Sequence, residues 1–135
     1  MISSPLVRIP DVIKNLREAQ YEFFFCGSRE LALRFPGEFS VNPDADWDFA
    51  TPDIPGITKF LDNLGFIYLS KHNVYASDEV WHKDGVDVLI KSPEDFEYFK
   101  ILWANISVDM YYNIIDNPQR FKLVFELAKK ILEKK

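Results

Sequence analysis

DADWDF, residues 44–49, and GVDVLI, residues 85–90, are the two stretches on which the fold and chemistry of this chain turn. In an extended strand successive side chains point to opposite faces. Asp46 and Asp48 would then share one face, about 6.7 Å apart along the chain, with Ala45, Trp47 and Phe49 on the other. Two like charges held side by side repel unless a cation, a proton or a basic partner lies between them. Asp44 alternates with Asp46 in the same way, so a second register stays open. Pro43 marks Asp44 as the approach to the strand, whereas Trp47 and Phe49 frame Asp46 and Asp48 with apolar neighbours. In GVDVLI, Asp87 interrupts an otherwise apolar strand.

The composition bounds what such a site could belong to. A chain of 135 residues, 47% hydrophobic and 16% aromatic, has the size of one domain and enough aromatic bulk to fill its core. No apolar run approaches the roughly 18 residues of a membrane span. MISSPLVRIP has neither the basic start nor the apolar stretch of a secretory signal, and the single Cys26 excludes an internal disulfide framework. The expectation is a cytoplasmic protein with no membrane association. A net charge of -5 argues against binding nucleic acid through a broad basic surface, and it is compatible with a site that takes a metal and a small anion together.

Along the chain, helical and extended patterns alternate without repeats or an interdomain linker. Pro10 and Asp11 open a first helix carrying Val12, Ile13 and Leu16 at helical spacing. YEFFFC, residues 21–26, is short, bulky and apolar, which predicts a buried strand ending at Gly27. Ser28 is placed to cap a helix over RELALRF, stopped by Pro36 and Gly37. ADWDFA, residues 45–50, predicts the next strand, and Pro55-Gly56 opens a helix that closes near Gly65. Residues 66–90 predict antiparallel sheet: strands over IYLS, VYASDEVWH and GVDVLI, the last two joined by an Asp84-Gly85 hairpin turn. After Ser92-Pro93-Glu94, a capped helix start, three helical stretches follow, the last with Phe121, Val124, Phe125, Ala128 and Ile131 or Leu132 on one face. The fold class is α+β, a mixed sheet flanked by helices, as a single domain over 1–135. Its core covers about 10–105, with a helical segment over 106–135.

A strand ending in Gly27-Ser28 at a helix start suits a phosphate. Glycine admits close approach, and the first-turn amides and the helix dipole favour negative charge. Carboxylates on neighbouring strands suit hard divalent cations. Two such ions about 3.5 to 4 Å apart bridge a triphosphate and an attacking hydroxyl in known two-metal sites.

At these residues the chain resembles the nucleotidyltransferase superfamily related to DNA polymerase β. That family's pattern is a hydrophobic residue, Gly and Gly or Ser, then two acidic residues at alternate strand positions, then a third between hydrophobics on a later strand. The matching stretches are CGS at 26–28, DWD at 46–48 and VDV at 86–88. The plan is similar to that of the small phage and prokaryotic members over about residues 10–105. The resemblance implies transfer of a nucleoside monophosphate from an NTP to a hydroxyl acceptor, with pyrophosphate released and two Mg²⁺ or Mn²⁺ ions as cofactors. It implies that Gly27 and Ser28 hold the triphosphate, that Asp46 and Asp48 bind both metals, and that Asp87 completes the metal that activates the acceptor. No lysine falls at a triphosphate position; Arg29 and Arg34 are the nearest cations. The 28–46 spacing, with FPGEFSVNPDA inside it, is longer than the family's usual gap. The acceptor stays open among an RNA end, a protein side chain and a small molecule. Small members of the family also serve as antitoxins, so a protein partner, or a catalytically silent nucleotide-binding regulatory module, is the alternative.

Each feature taken alone has an ordinary structural explanation. Gly27-Ser28 makes a turn and cap, Asp46 and Asp48 a solvated strand face, and Asp87 the polar position of an alternating strand. Cys26 is expected in the core, as are Trp47, Trp81 and Trp103, with Trp81 also able to stack on a base. His72 and His82, near turns, are expected as surface residues rather than ligands, with His82 kept as a candidate at the rim of the site.

Overall fold

The computed structural model of the chain describes residues 11–69, 79–115 and 118–134. Pro10, His72 and the first part of the strand expected over VYASDEVWH lie outside them. The apolar spacing of Val12, Ile13 and Leu16 winds Asp11–Glu18 into an amphipathic helix, α1, with that face buried. There follow β1 (Phe24–Cys26), α2 (Gly27–Arg34), β2 (Trp47–Pro52), α3 (Ile57–Asn63), β3 (Ile67–Leu69), β4 (Glu79–Lys83) and β5 (Val86–Lys91). Three helices end the chain: α4 (Pro93–Ala104), α5 (Val108–Ile115) and α6 (Pro118–Glu133). The architecture is α+β, a five-stranded mixed sheet in the order β1-β2-β5-β4-β3. Among the described residues, no helix is long and apolar enough to cross a membrane.

The central pair, β2 and β5, is parallel, and every other pairing is antiparallel. A parallel pair needs a long crossover, which α3, β3 and β4 supply. Strand alternation divides the interior into two cores, one on each sheet face. Phe49, Val86, Val88 and Ile90 point to the side covered by α1 and α3. Cys26, Ala50, Leu89 and Val80 point to the side covered by α2, α4, α5 and α6, where Phe96, Phe99, Phe121 and Phe125 fill the layer. Because β5 is covered on both faces, its sequence reads as a continuous apolar run broken only by Asp87. Lys91, at its end, is buried with its ammonium 4.8 Å from the Phe99 ring centroid and 5.6 Å from that of Phe125.

Three local expectations are corrected. The first strand forms only over Phe24–Cys26, because Tyr21 is still bonded back to α1 (N–H to Leu16 O, 3.0 Å) and Thr51 meets Glu22 through its hydroxyl (2.9 Å) instead of a backbone ladder. Helix α2 starts at Gly27, with Cys26 at the cap position and no side-chain cap, so Ser28 lies inside the first turn. Strand β2 begins at Trp47, which leaves Asp46 just ahead of it. The expected Ser92 cap is present, accepting from the Asp95 N–H at 3.2 Å. The Asp84-Gly85 turn has φ of 47° and 79°, the left-handed pair that a two-residue hairpin demands.

Candidate metal centre

The site follows from strand register. Asp48 on β2 pairs with Asp87 on β5, Cys26 on β1 pairs with Asp48, and His82 on β4 pairs with Asp87. Asp48, Asp87 and His82 share the parity of Ala50, Leu89 and Val80, so they lie on one sheet face, ahead of the point where the α4–α6 core begins. Asp46 joins them from the loop. The Trp47 N–H donates to Gly85 O (2.8 Å), which ties the start of β2 to the β4–β5 turn. Gly85 lies beside the Asp46 carboxylate, whose Oδ1 is 3.9 Å from the position a Cβ would take there.

The N-terminus of α2 closes the other side. Gly27 has φ +83°, and a Cβ built on it would stand 2.2 Å from Asp48 Oδ2. Only glycine lets the chain turn from β1 into α2 with the Asp48 carboxyl pressed against its backbone. The first turn of α2, beside the Asp48 carboxyl, has no side-chain cap.

This crowding of acids is electrostatically unfavourable on its own. Burial holds the Asp48 carboxyl well above the ordinary carboxylate range, and the charges of Asp87 and Asp46 push it further. Asp87 is raised by burial and by Asp46, against the lowering effect of its hydrogen bond to His82. His82 Nδ1 and Asp87 Oδ1 are 2.6 Å apart. One potential ligand atom from each of Asp46, His82 and Asp87 lies within 4.8 Å of the others. A proton or a cation relieves this repulsion, and carboxylates with an imidazole form a chemically suitable donor set for a divalent ion.

The expected residues are distributed as follows. Asp46, Asp48 and Asp87 come together, with Gly27 against Asp48. Asp44 sits in an exposed turn with its N–H on Asn42 Oδ1 (2.8 Å). Arg29, expected beside a triphosphate, is buried and turned to the preceding loop. It donates from Nε to Ala45 O (2.7 Å) and from Nη2 to Pro43 O (2.5 Å), with its guanidinium 4.8 Å from the Trp47 ring centroid. It therefore anchors the loop that delivers Asp46. Arg34 pairs with Glu30 and donates to Trp103 O (2.9 Å). Trp47 is stacked with Phe25, and Trp81 donates to Glu79 Oε1 and meets Tyr68 edge-on. Cys26 is wholly buried, and burial pushes its thiol up.

His82 was expected at the rim; it is half-buried and bonded inside the cluster. A two-residue turn at 84–85 pairs 83 with 86 and 82 with 87, so counting back from Asp84-Gly85 would have found it. No protein-family model, curated protein or solved structure matches the chain.

Proposed function

We propose that the chain is a metal-dependent nucleotidyltransferase that moves a nucleoside monophosphate from an NTP to a hydroxyl acceptor and releases pyrophosphate. The observation that carries this reading is the register pairing of Asp48 with Asp87, with Asp46 beside them and the uncapped start of α2 against Asp48. Asp46, Asp48 and Asp87 would hold divalent cations, Mg²⁺ or Mn²⁺. When bound, these would neutralise phosphate charge and acidify the acceptor hydroxyl. The residues of the chain supply placement. The first-turn amides around Gly27 and Ser28 offer donors to an anion, Arg29 fixes the loop that carries Asp46, and Gly27 keeps Asp48 at the corner. Phosphoryl transfer of this kind depends on positioning and charge, so it needs no protein nucleophile. The acceptor class remains an RNA end, a protein side chain or a small molecule.

One observation favours a second reading, a nucleotide-binding regulatory module without turnover: Arg29 and Arg34 both place their guanidinium groups on protein partners. Calorimetry with an NTP in Mg²⁺ or Mn²⁺ and again in EDTA tests what the two readings share. Binding is expected only with metal, and to be lost in Asp48→Asn while Asp44→Asn keeps most of it. Equal binding in EDTA would remove the metal-bridge argument. Pyrophosphate release from labelled NTPs incubated with candidate RNA and cell extract then separates the enzyme from the silent module.

A further inference from the structure

Among the described residues, His82 brings an imidazole nitrogen to the three aspartates. It reaches them because the Asp84-Gly85 turn is as short as a hairpin allows, which sets His82 directly across from Asp87. Its side chain is 31% exposed and that of Asp87 19%, so the pair is sheltered without being sealed. The spread of 4.8 Å among the ligand atoms of Asp46, His82 and Asp87 matches what one ion spans with bonds of roughly 2.0 to 2.4 Å.

We propose that His82 is itself a metal ligand, so that the cation position shared by Asp46, His82 and Asp87 is a mixed nitrogen and oxygen site that prefers a first-row transition ion to Mg²⁺. This rests on the metal-dependent reading above and specifies which cation that reading requires. Mg²⁺ takes oxygen ligands and retains its waters, so an imidazole gains it little; transition ions accept imidazole nitrogen readily. Asp48, paired with Asp87 across β2 and β5, adds a further carboxylate to the same cluster. The competing role for His82 is positioning only, a donor that orients Asp87 without touching the ion.

Co²⁺ serves as the affinity probe and Mn²⁺ as the spectroscopic one. Titration calorimetry of the unaltered protein with Co²⁺ and with Mg²⁺, without nucleotide, is expected to show tighter Co²⁺ binding by about tenfold or more. His82→Gln keeps a donor for Asp87 but removes the imidazole, and it is expected to abolish that preference while leaving Mg²⁺ affinity nearly unchanged. Pulsed electron paramagnetic resonance of the Mn²⁺-loaded unaltered protein is expected to show coupling to a directly bound nitrogen, and this decides the question if His82→Gln fails to fold. Equal affinities for the two ions, a preference that survives in His82→Gln, or a spectrum without directly bound nitrogen would overturn the role of His82 and leave the metal-dependent reading standing. Failure of both ions to bind would overturn the two together.

Discussion

Gly27 shows how one residue can be fixed by its neighbour's chemistry. Its φ of +83° and the 2.2 Å approach of Asp48 Oδ2 to its missing Cβ are separate constraints, and they add. The backbone constraint is worth about 1–2 kcal/mol to an L-residue, and forcing a methyl group into a filled space about 1–3 more. Gly27→Ala should therefore destabilise by roughly 2–5 kcal/mol in urea denaturation. In an Asp48→Ala background the steric part should vanish and leave only the backbone part. An equal penalty in both backgrounds would show that Asp48 is not what keeps position 27 bare. Asp48 also sets an unusual pH response. Its carboxyl is raised by burial, then by Asp87 and Asp46. Between the ordinary carboxylate value of about 4 and that raised value, the native state therefore holds a proton that the unfolded chain has released. Over this window stability falls as pH rises. Other carboxylates act in the opposite direction, so the informative quantity is the difference between wild type and Asp48→Asn, both free of cations. Asp48→Asn should match wild type near pH 4 and gain on it steadily towards pH 7; a constant difference would mean that Asp48 ionises normally.

At the scale of elements, α6 carries two apolar faces with different fates. Phe121 and Phe125 are buried against α4 and the sheet, whereas Leu123 is 72% exposed and Leu127 60%. Phe125→Ala should cost about 3–5 kcal/mol, and Leu127→Ala less than about 0.5, measured by thermal or urea unfolding. Comparable losses would mean that the exposed stripe is covered in the native protein. The buried face of α6 was legible from its spacing, as were the Ser92 cap and the Asp84-Gly85 hairpin, because each is set by residues within one or two turns of one another. The start of β2 was not. Alternation in ADWDFA is satisfied equally by a strand from 45 or from 47, and what stops pairing at Trp47 is Arg29 holding the Ala45 carbonyl, a contact from another element. The shortening of β1 likewise depends on Thr51 from another strand. The parallel pairing of β2 with β5, which brings Asp48 to Asp87, spans a crossover that no local pattern encodes. The acidic residues that meet at this corner of the sheet stand out in the sequence, and His82 follows from the two-residue turn, while the pairing that brings Asp48 to Asp87 could not be read from any local pattern.

For the molecule as a whole, the site is a place where folding works against itself. Asp46, Asp48, His82 and Asp87 come from a loop and three strands, and only the completed sheet brings them together. The unfolded chain keeps these carboxylates apart and hydrated. The native state alone bears their repulsion, and the native state alone offers a cation its ligands. Two opposite consequences follow for one substitution. Without divalent cations at neutral pH, Asp48→Asn removes a carboxyl whose ionisation is opposed by burial and by Asp87 and Asp46, so it should melt above wild type. With Mn²⁺ at about one hundred times its Kd, wild type should gain about 2.7 kcal/mol by mass action. For a domain of this size that is an upward shift of roughly 10 °C. Asp48→Asn should gain only a small part of that shift, since one carboxylate ligand has become a weaker amide oxygen. The order of the two melting temperatures should therefore narrow or invert when the metal is added. If Asp48→Asn melts below wild type without metal, or if Mn²⁺ stabilises both proteins equally, the cluster is an ordinary polar corner of the sheet, and the case for cation binding at Asp48 fails with it.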